Sequence, residues 1–383
     1  MLALRLARGA HPLVLLRRLL VAAASAGVGF LLLCALTHAL AHPGDSAASL
    51  LRLSWCAIPL AATVQFAVAV ARTDPGTRPR TGLSAIGLGP GRMALLSASS
   101  TAVAGTLGSA LALLLFLHLR GDLTGLPFDG AAAELLAAEQ PLPFAATLTL
   151  LTLAPLGATA AAALALRPRE GDPAPDARPA PPAAPGGLPW GCTLTAVGLA
   201  VGTYAAHTDG GASVQLPGEL DSNPVGVLVG WALTAVGLAI AGPALTHFCG
   251  RLLQTFRPGA VRLLAGRVLM AESHRIGRPL GVVCAVASAM IAAWTLAGEG
   301  PRPFGPLTGL GAALVIACTS ATLLITAVDV RRTRTETMGE LRGLGAPAGS
   351  LRMAAALRGA ALLLVFAPLT WAVATLAAAP LTG

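Results

Sequence analysis

The sequence contains no lysine, and charged residues make up only 11% of its 383 positions. A soluble globular domain has about 25% charged residues, because its whole surface faces water. The absence of lysine excludes a Walker A loop, which needs a lysine on the terminal phosphates, and a Schiff-base enzyme, which needs an amine. We therefore expect any ATP hydrolysis linked to this chain to be carried out by another polypeptide.

Cysteine is also scarce and scattered. None of the six cysteines forms a C-x-x-C pair, so the sequence indicates neither a metal site nor a disulfide framework. His38 and His42 have a ligand-like spacing but no acid or thiol in their local sequence, which favours no metal there. No nucleophile stands in a recognisable context such as G-x-S-x-G. We expect no cofactor and no enzymatic activity, with an intramembrane enzyme as the remote alternative.

Apolar residues make up 55% of the chain and gather in runs of bilayer length, such as Met93–Leu117 and Gly305–Val328. These runs predict an all-α fold, a polytopic bundle of about nine transmembrane helices. The predicted spans are residues 15–38, 50–71, 93–118, 143–166, 189–206, 224–246, 279–298, 305–328 and 353–379.

The arginines predict the orientation of these spans. With the N-terminus in the cytoplasm, all but four of the 26 arginines fall in cytosolic segments; Arg52, Arg120 and Arg302 fall outside, and Arg358 lies in the last helix. This asymmetry follows the positive-inside rule, so the net charge of +9 reflects orientation rather than nucleic-acid binding. Because the predicted number of spans is odd, the C-terminus is then expected on the extracellular side of the cell membrane. The Ala39-Leu40-Ala41 tripeptide resembles a signal-peptidase site, but the long apolar run before it favours an uncleaved helix.

A proline-rich stretch divides the chain. Residues 167–189 read RPREGDPAPDARPAPPAAPGGLP, a composition typical of an extended cytosolic linker. The predicted organisation is a first four-helix unit over 1–166, a linker over 167–188, two connecting helices over 189–246, and a three-helix unit over 247–383.

Two cytosolic loops resemble each other. Thr77–Met93 reads TRPRTGLSAIGLGPGRM, and Arg331–Met353 reads RRTRTETMGELRGLGAPAGSLRM. Each has arginines after a membrane helix, then L-x-x-[IL]-G-[LA], a Gly/Pro break, and Arg-Met before the next helix. In the second loop the apolar residues recur at helical spacing, which predicts a short helix along the inner membrane face that ends before Pro347.

The run Met338–Ala346 (MGELRGLGA) resembles the second cytosolic loop of the FtsX-like permease family, the membrane subunits of one class of ABC transporter. Arg267–Pro279 (RVLMAESHRIGRP) is similar to the basic stretch before that family's first helix. The layout resembles the larger, duplicated members such as the bacitracin-type peptide exporters. It departs from them in having no large external domain between the seventh and eighth helices and no final tenth helix.

This resemblance implies a permease subunit that couples ATP hydrolysis by a separate, dimeric ABC-type ATPase to movement of a lipid-like or peptide substrate. The alternative is a non-transporting regulator or scaffold derived from such a permease. The resemblance assigns ATPase contact to residues of both loops: Arg80, Leu83, Ile86 and Gly87 in the first, and Glu336, Met338, Glu340, Leu341, Arg342, Leu344 and Gly345 in the second.

Other polar and small residues favour structural roles. Gly105, Ser109, Gly226 and Gly230 suit close helix packing. The hydroxyl run Ser97–Thr101 is more typical of side chains that bond to their own helix than of a polar path. Arg358 is expected to extend its guanidinium to the inner headgroups.

Overall fold

The computed structural model describes residues 12–73, 90–123, 129–134, 136–167, 185–207, 213–214, 223–255, 259–297, 305–343 and 347–382. This part of the chain is almost entirely helical, which confirms the predicted all-α class. The elements are α1 Pro12–Ala41, α2 Ser46–Trp55, α3 Ala57–Arg72, α4 Pro90–Arg120, α5 Phe144–Ala165, α6 Leu188–His207, β1 Ser213–Val214, β2 Asn223–Pro224, α7 Val225–Leu253, α8 Ala260–Ala271, α9 Ser273–Ala297, α10 Pro306–Gly343 and α11 Ala348–Thr382. The two strands form one short antiparallel pair.

Eight helical segments are long and apolar enough to cross a membrane. They are Leu13–Ala41, Ala48–Arg72, Ser97–Arg120, Phe144–Ala165, Gly226–Leu253, Ser273–Leu296, Pro306–Arg332 and Ala348–Ala379. They correspond to eight of the nine predicted spans. The ninth, 189–206, is the 20-residue helix α6, whose threonines, glycines and single tyrosine dilute its hydropathy. The chain is therefore a multi-pass α-helical membrane protein.

Proline explains one difference from the predicted spans. The second predicted helix, 50–71, is divided at Cys56 into α2 and α3. Pro59 has no N–H to donate to the carbonyl of Trp55, so the helical hydrogen-bond ladder is interrupted at that point.

Contacts between helices group the described residues into two compact units. Met1–Pro175 and Gly305–Thr322 form unit 1, while Asp176–Phe304 and Leu323–Gly383 form unit 2. The two connecting helices of the predicted layout thus pack within unit 2, and the first half of α10 packs within unit 1. Packing does not report the ancestry of a repeat, so the predicted boundaries at 166, 188 and 246 stay a prediction.

Unit 1 is a ring of four helices in which α1 packs on α4, α4 on α5, α5 on α3, and α3 on α1. One part of its core is built around Leu33, Phe116 and Leu136. The predicted packing roles are confirmed here. Ser109 donates its hydroxyl to the carbonyl of Leu151 at 2.8 Å, and a side chain on Gly105 would meet the Cα of Pro155 at 3.0 Å.

Unit 2 is built on very close helix pairs. Helix α7 packs on α6, α8 and α9, and α11 packs on α8 and α9. A Cβ placed on Gly198 of α6 would lie 2.6 Å from the carbonyl oxygen of Gly230 on α7, and a Cβ on Gly230 would lie 2.7 Å from the nitrogen of Gly202. The two backbones touch, which only glycine permits.

Candidate coupling helix and charge cluster

The most distinctive feature of the predicted cytosolic side is the continuation of α10 beyond its membrane span. The apolar span ends at Arg332, whereas the helix continues without a break to Gly343. At about 1.5 Å per residue this extension is about 16 Å long. Gly339 and Gly343 are exposed on it.

The predicted short helix along the membrane face is therefore wrong in its form. Glu336, Met338, Glu340, Leu341 and Arg342 belong to the same helix as the preceding span. The reason is that no proline occurs between Pro306 and Pro347, and the arginines, glutamates, Met338 and Leu341 of this stretch are good helix formers. Leu344 and Gly345 lie outside the described residues, so the predicted stop at Gly345 stays a prediction.

The first candidate loop cannot be compared in the same way. Arg80, Leu83, Ile86 and Gly87 all fall within 74–89, outside the described residues. The backbone becomes described again at Pro90, the first residue of α4. The pairing of two coupling loops thus remains a prediction from the repeat.

The base of the extension is joined to unit 2 by an ion pair. Arg334, two residues beyond the span, donates from Nε to Oε1 of Glu272 at 2.5 Å, and its Nη2 contacts Oε2 of the same carboxylate. Both side chains are largely buried, with exposed fractions of 19% and 15%. A fork-shaped pair of this kind combines charge attraction with a fixed orientation.

Glu272 lies at a helix junction. It is the residue between the end of α8 at Ala271 and the start of α9 at Ser273, and its carbonyl accepts from the backbone N–H of Arg275 and Ile276. In the sequence, Glu272 was noted only as part of the basic stretch Arg267–Pro279. Its acidic character among arginines was the signal that could have identified it.

A second arginine is buried beside this pair. Arg358 lies on the same face of α11 as the buried residues Leu351 and Ala354, and only 7% of it is exposed. Its Nε donates to the carbonyl of Ala354 at 3.2 Å, while its Nη1 has no hydrogen-bond partner among the described residues. The burial of Arg358 was not predicted: this face of α11 packs inside unit 2, whereas the expected reach of its guanidinium to the headgroups depends on membrane depth and stays a prediction.

The two guanidiniums influence each other. Burial, followed by the positive charge of Arg358, lowers the pKa of Arg334 to about 10, in spite of the neighbouring carboxylate. Arg334 remains a cation at neutral pH. The cluster of Glu272, Arg334 and Arg358, which we call the charge cluster, therefore has one more positive than negative charge.

A further buried arginine lies at the predicted outer end of unit 1. Arg120 is 4% exposed; its Nη2 donates to the carbonyls of Ala138, at 3.1 Å, and Gln140, and its Nε lies 3.5 Å from Asp122. Leu136 of the same loop is part of the unit 1 core. The loop is thus held down over the ends of the helices of unit 1.

The remaining candidates are structural. Ser100 and Thr101 donate to the carbonyl of Ser97 on their own helix, as expected, whereas Ser97 donates to the carbonyl of Ala71 on α3. His38 and His42 stack with ring centroids 4.3 Å apart, and Nδ1 of His42 bonds to the carbonyl of His38. Among the described residues, no group of three or more His, Cys, Asp or Glu is placed to hold a metal ion.

Compared with known proteins, the chain matches no family model, no curated protein and no solved structure. Its fold and membrane character consequently rest on the helices themselves.

Proposed function

We propose that the chain is the membrane-spanning subunit of an ABC transporter of FtsX-like type, partnered by a separate dimeric ATPase. The observation that supports this proposal is the unbroken helix α10, 38 residues from Pro306 to Gly343. Such a helix is about 57 Å long, whereas the hydrocarbon core of a bilayer needs about 30 Å. The apolar span Pro306–Arg332 accounts for about 40 Å of this length, and the remaining length of about 16 Å is a rigid projection that begins where the span ends.

A rigid projection suits mechanical coupling because a helix moves as one body. A push on the residues near Gly343 would act on the whole of α10. The ion pair between Arg334 and Glu272 would pass part of that displacement to the junction of α8 and α9. The extension contains Met338–Gly343, the described part of the run that resembles the family's coupling loop. The resemblance extends the proposal to a lipid-like or peptide substrate.

The test is co-purification of the tagged chain with a Walker-type ATPase encoded beside it. We expect the wild type to retain the ATPase and the double variant Glu340→Arg plus Leu344→Asp to retain about tenfold less, since charge reversal and loss of an apolar anchor remove central contacts. Glu139→Arg is the matched control. Glu139 is exposed on the loop that the orientation places outside, so the same charge change there should leave retention unchanged.

A photo-crosslinker at position 339 gives an independent readout, since Gly339 is exposed on the extension. We expect a crosslink to the ATPase that depends on the extension and disappears in the double variant. Retention of the ATPase by the double variant at the wild-type level would refute the assignment of this surface. Failure of the wild type to retain any ATPase, under conditions that preserve other transporters, would refute the permease function.

The second candidate is a permease-derived regulator or scaffold that does not transport. The observation in its favour is a small cavity in unit 1. This cavity, beside Arg18, Val70 and Thr101, has a volume of about 10 Å³, room for about one water molecule. A scaffold would retain a partner without stimulating ATP hydrolysis by substrate, which separates the two candidates once a complex is in hand.

A further inference from the structure

The charge cluster contains a buried hydrogen-bond donor with no partner among the described residues, which is energetically unfavourable. Arg358 is more than nine-tenths buried, yet its Nη1 has no partner in the part of the chain that the structure describes. An unsatisfied charged group of this kind costs several kcal/mol in an apolar interior. The single carboxylate of the cluster, Glu272, is already engaged by two nitrogens of Arg334.

The depth of the cluster in the membrane indicates what could satisfy it. Arg334 is two residues beyond the end of one apolar span, and Glu272 immediately precedes the start of another, Ser273–Leu296. Two span ends thus meet at the level of the headgroups. Helix α11 is compatible with this level, because the residues after Arg358 in its span, to Ala379, are about 32 Å long, enough to cross the hydrocarbon core.

The surrounding surface is also basic. Arg275 and Arg278 on α9, Arg331 and Arg332 on α10, and Arg352 on α11 are exposed within unit 2. Anionic headgroups of the cytosolic leaflet are attracted to clusters of this kind, and a guanidinium matches a phosphate group with two parallel hydrogen bonds. The positive charge of these exposed arginines would raise the concentration of phosphate groups near the cluster, and the buried donor of Arg358 would bind one of them.

We propose that the charge cluster is a binding site for a phosphate group at the cytosolic membrane face, in which Arg358 is the principal ligand and Arg334, held by Glu272, is the second cation. The phosphate belongs either to the headgroup of an anionic phospholipid or to a soluble phosphate. Neutral zwitterionic lipids bind less well, because their own ammonium competes with the guanidiniums. The proposal concerns unit 2 alone and does not depend on any ATPase.

The test compares Arg358→Met with Arg352→Met in detergent, using native mass spectrometry with phosphatidylglycerol and phosphatidylcholine as probes. Methionine keeps the unbranched apolar stem of the buried side chain and removes its charge, so Arg358→Met is expected to fold. Arg352 is an exposed arginine on the same helix and is the matched control. Elution as a single monodisperse species is required of each variant.

We expect the wild type to retain one phosphatidylglycerol in preference to phosphatidylcholine. Arg358→Met should weaken that binding about ten- to hundredfold, the range for loss of a charged hydrogen-bonding group, and Arg352→Met should leave it within about twofold. Equal retention of the two lipids by the wild type, or equal affinity of wild type and Arg358→Met for phosphatidylglycerol, would exclude a phospholipid headgroup as the ligand.

Two further arms sharpen the result. Arg358→Lys keeps the charge without the planar fork, so binding should fall severalfold; wild-type affinity in this variant would contradict paired hydrogen bonds from Arg358. Inorganic phosphate is titrated alone into lipid-stripped protein and followed by thermal stability. Stabilisation of the wild type but not of Arg358→Met, without any lipid preference, would assign the site to soluble phosphate. Absence of both lipid preference and phosphate stabilisation would refute the site.

Discussion

The close contact between α6 and α7 allows a prediction that can be tested with a matched control on the same helix. An alanine at Gly198 would place its Cβ 2.6 Å from both the carbonyl oxygen of Gly230 and the backbone nitrogen of Thr234. These are backbone atoms, so the helices themselves must move apart. Gly202 lies four residues further along α6, and a Cβ there would meet nothing within 4 Å. The two glycines are thus matched in residue type and helix and differ in contact.

Replacing glycine by alanine in a helix gains up to about 1 kcal/mol from propensity, and this gain is common to both positions. Overpacking of a close contact costs about 1–3 kcal/mol. We therefore expect Gly202→Ala to be neutral or stabilising, and Gly198→Ala to be less stable than Gly202→Ala by about 1–3 kcal/mol. The measurement is reversible unfolding in mixed micelles at increasing SDS fraction, followed by circular dichroism.

A second variant tests whether the loss arises at this contact. Gly230→Ala would press on the same place from the other side, with its Cβ 2.7 Å from the nitrogen of Gly202. Once one alanine has separated the helices, the second should destabilise the protein less. The loss of unfolding free energy in the double variant of Gly198 and Gly230 should therefore be smaller than the sum of the losses in the two single variants. Equal stability of Gly198→Ala and Gly202→Ala would refute the close backbone contact, and strict additivity would refute a shared one.

Of three other predictions, two concern charged groups and the third concerns the topology. Glu272→Gln and Arg334→Gln should each cost about 1–3 kcal/mol, and a double-mutant cycle should give a coupling of about 1–2 kcal/mol; a coupling below about 0.3 kcal/mol would contradict the ion pair. Arg120→Met should speed hydrogen exchange and proteolysis in residues 129–142, whereas the exposed Arg52→Met should not. If all nine helices span, a C-terminal phosphatase fusion should be active and a green fluorescent protein fusion dark. The reverse pattern would indicate eight spans and place the C-terminus in the cytosol.

Hydropathy alone is sufficient to predict the bounds of some membrane-spanning helices. The span predicted as 143–166 is observed as Phe144–Ala165, and that predicted as 15–38 is observed as part of Pro12–Ala41. Apolar length alone sets these helices, because in a bilayer each backbone group must be paired within its own helix. The end of α10 was predicted less well. Hydropathy marks where a span leaves the membrane, but only hydrogen bonding decides where the helix stops.

The candidate site was predictable in its sequence and not in its geometry. The repeat and the run MGELRGLGA drew attention to residues 331–353, and the structure places the described part of that stretch up to Gly343 on one rigid helix. Neither pattern could show that Arg334 meets Glu272, because the two are 62 residues apart and pair through tertiary packing. The burial of Arg358 was not predicted for the same reason. Its distance from the helix end was readable, whereas the helices that cover it were not.

The sequence by itself determined that this is a lysine-free, multi-pass helical membrane protein. Composition and the length of each apolar run are local properties, and a helix of about 20 apolar residues matches the thickness of a bilayer. The absence of lysine also excluded a Walker A loop in this sequence. The tertiary structure alone decided which helices touch through glycine and that a carboxylate and two arginines share a buried cluster. These features depend on how faces of distant helices pack, and packing is a property of pairs of segments, which no single segment encodes.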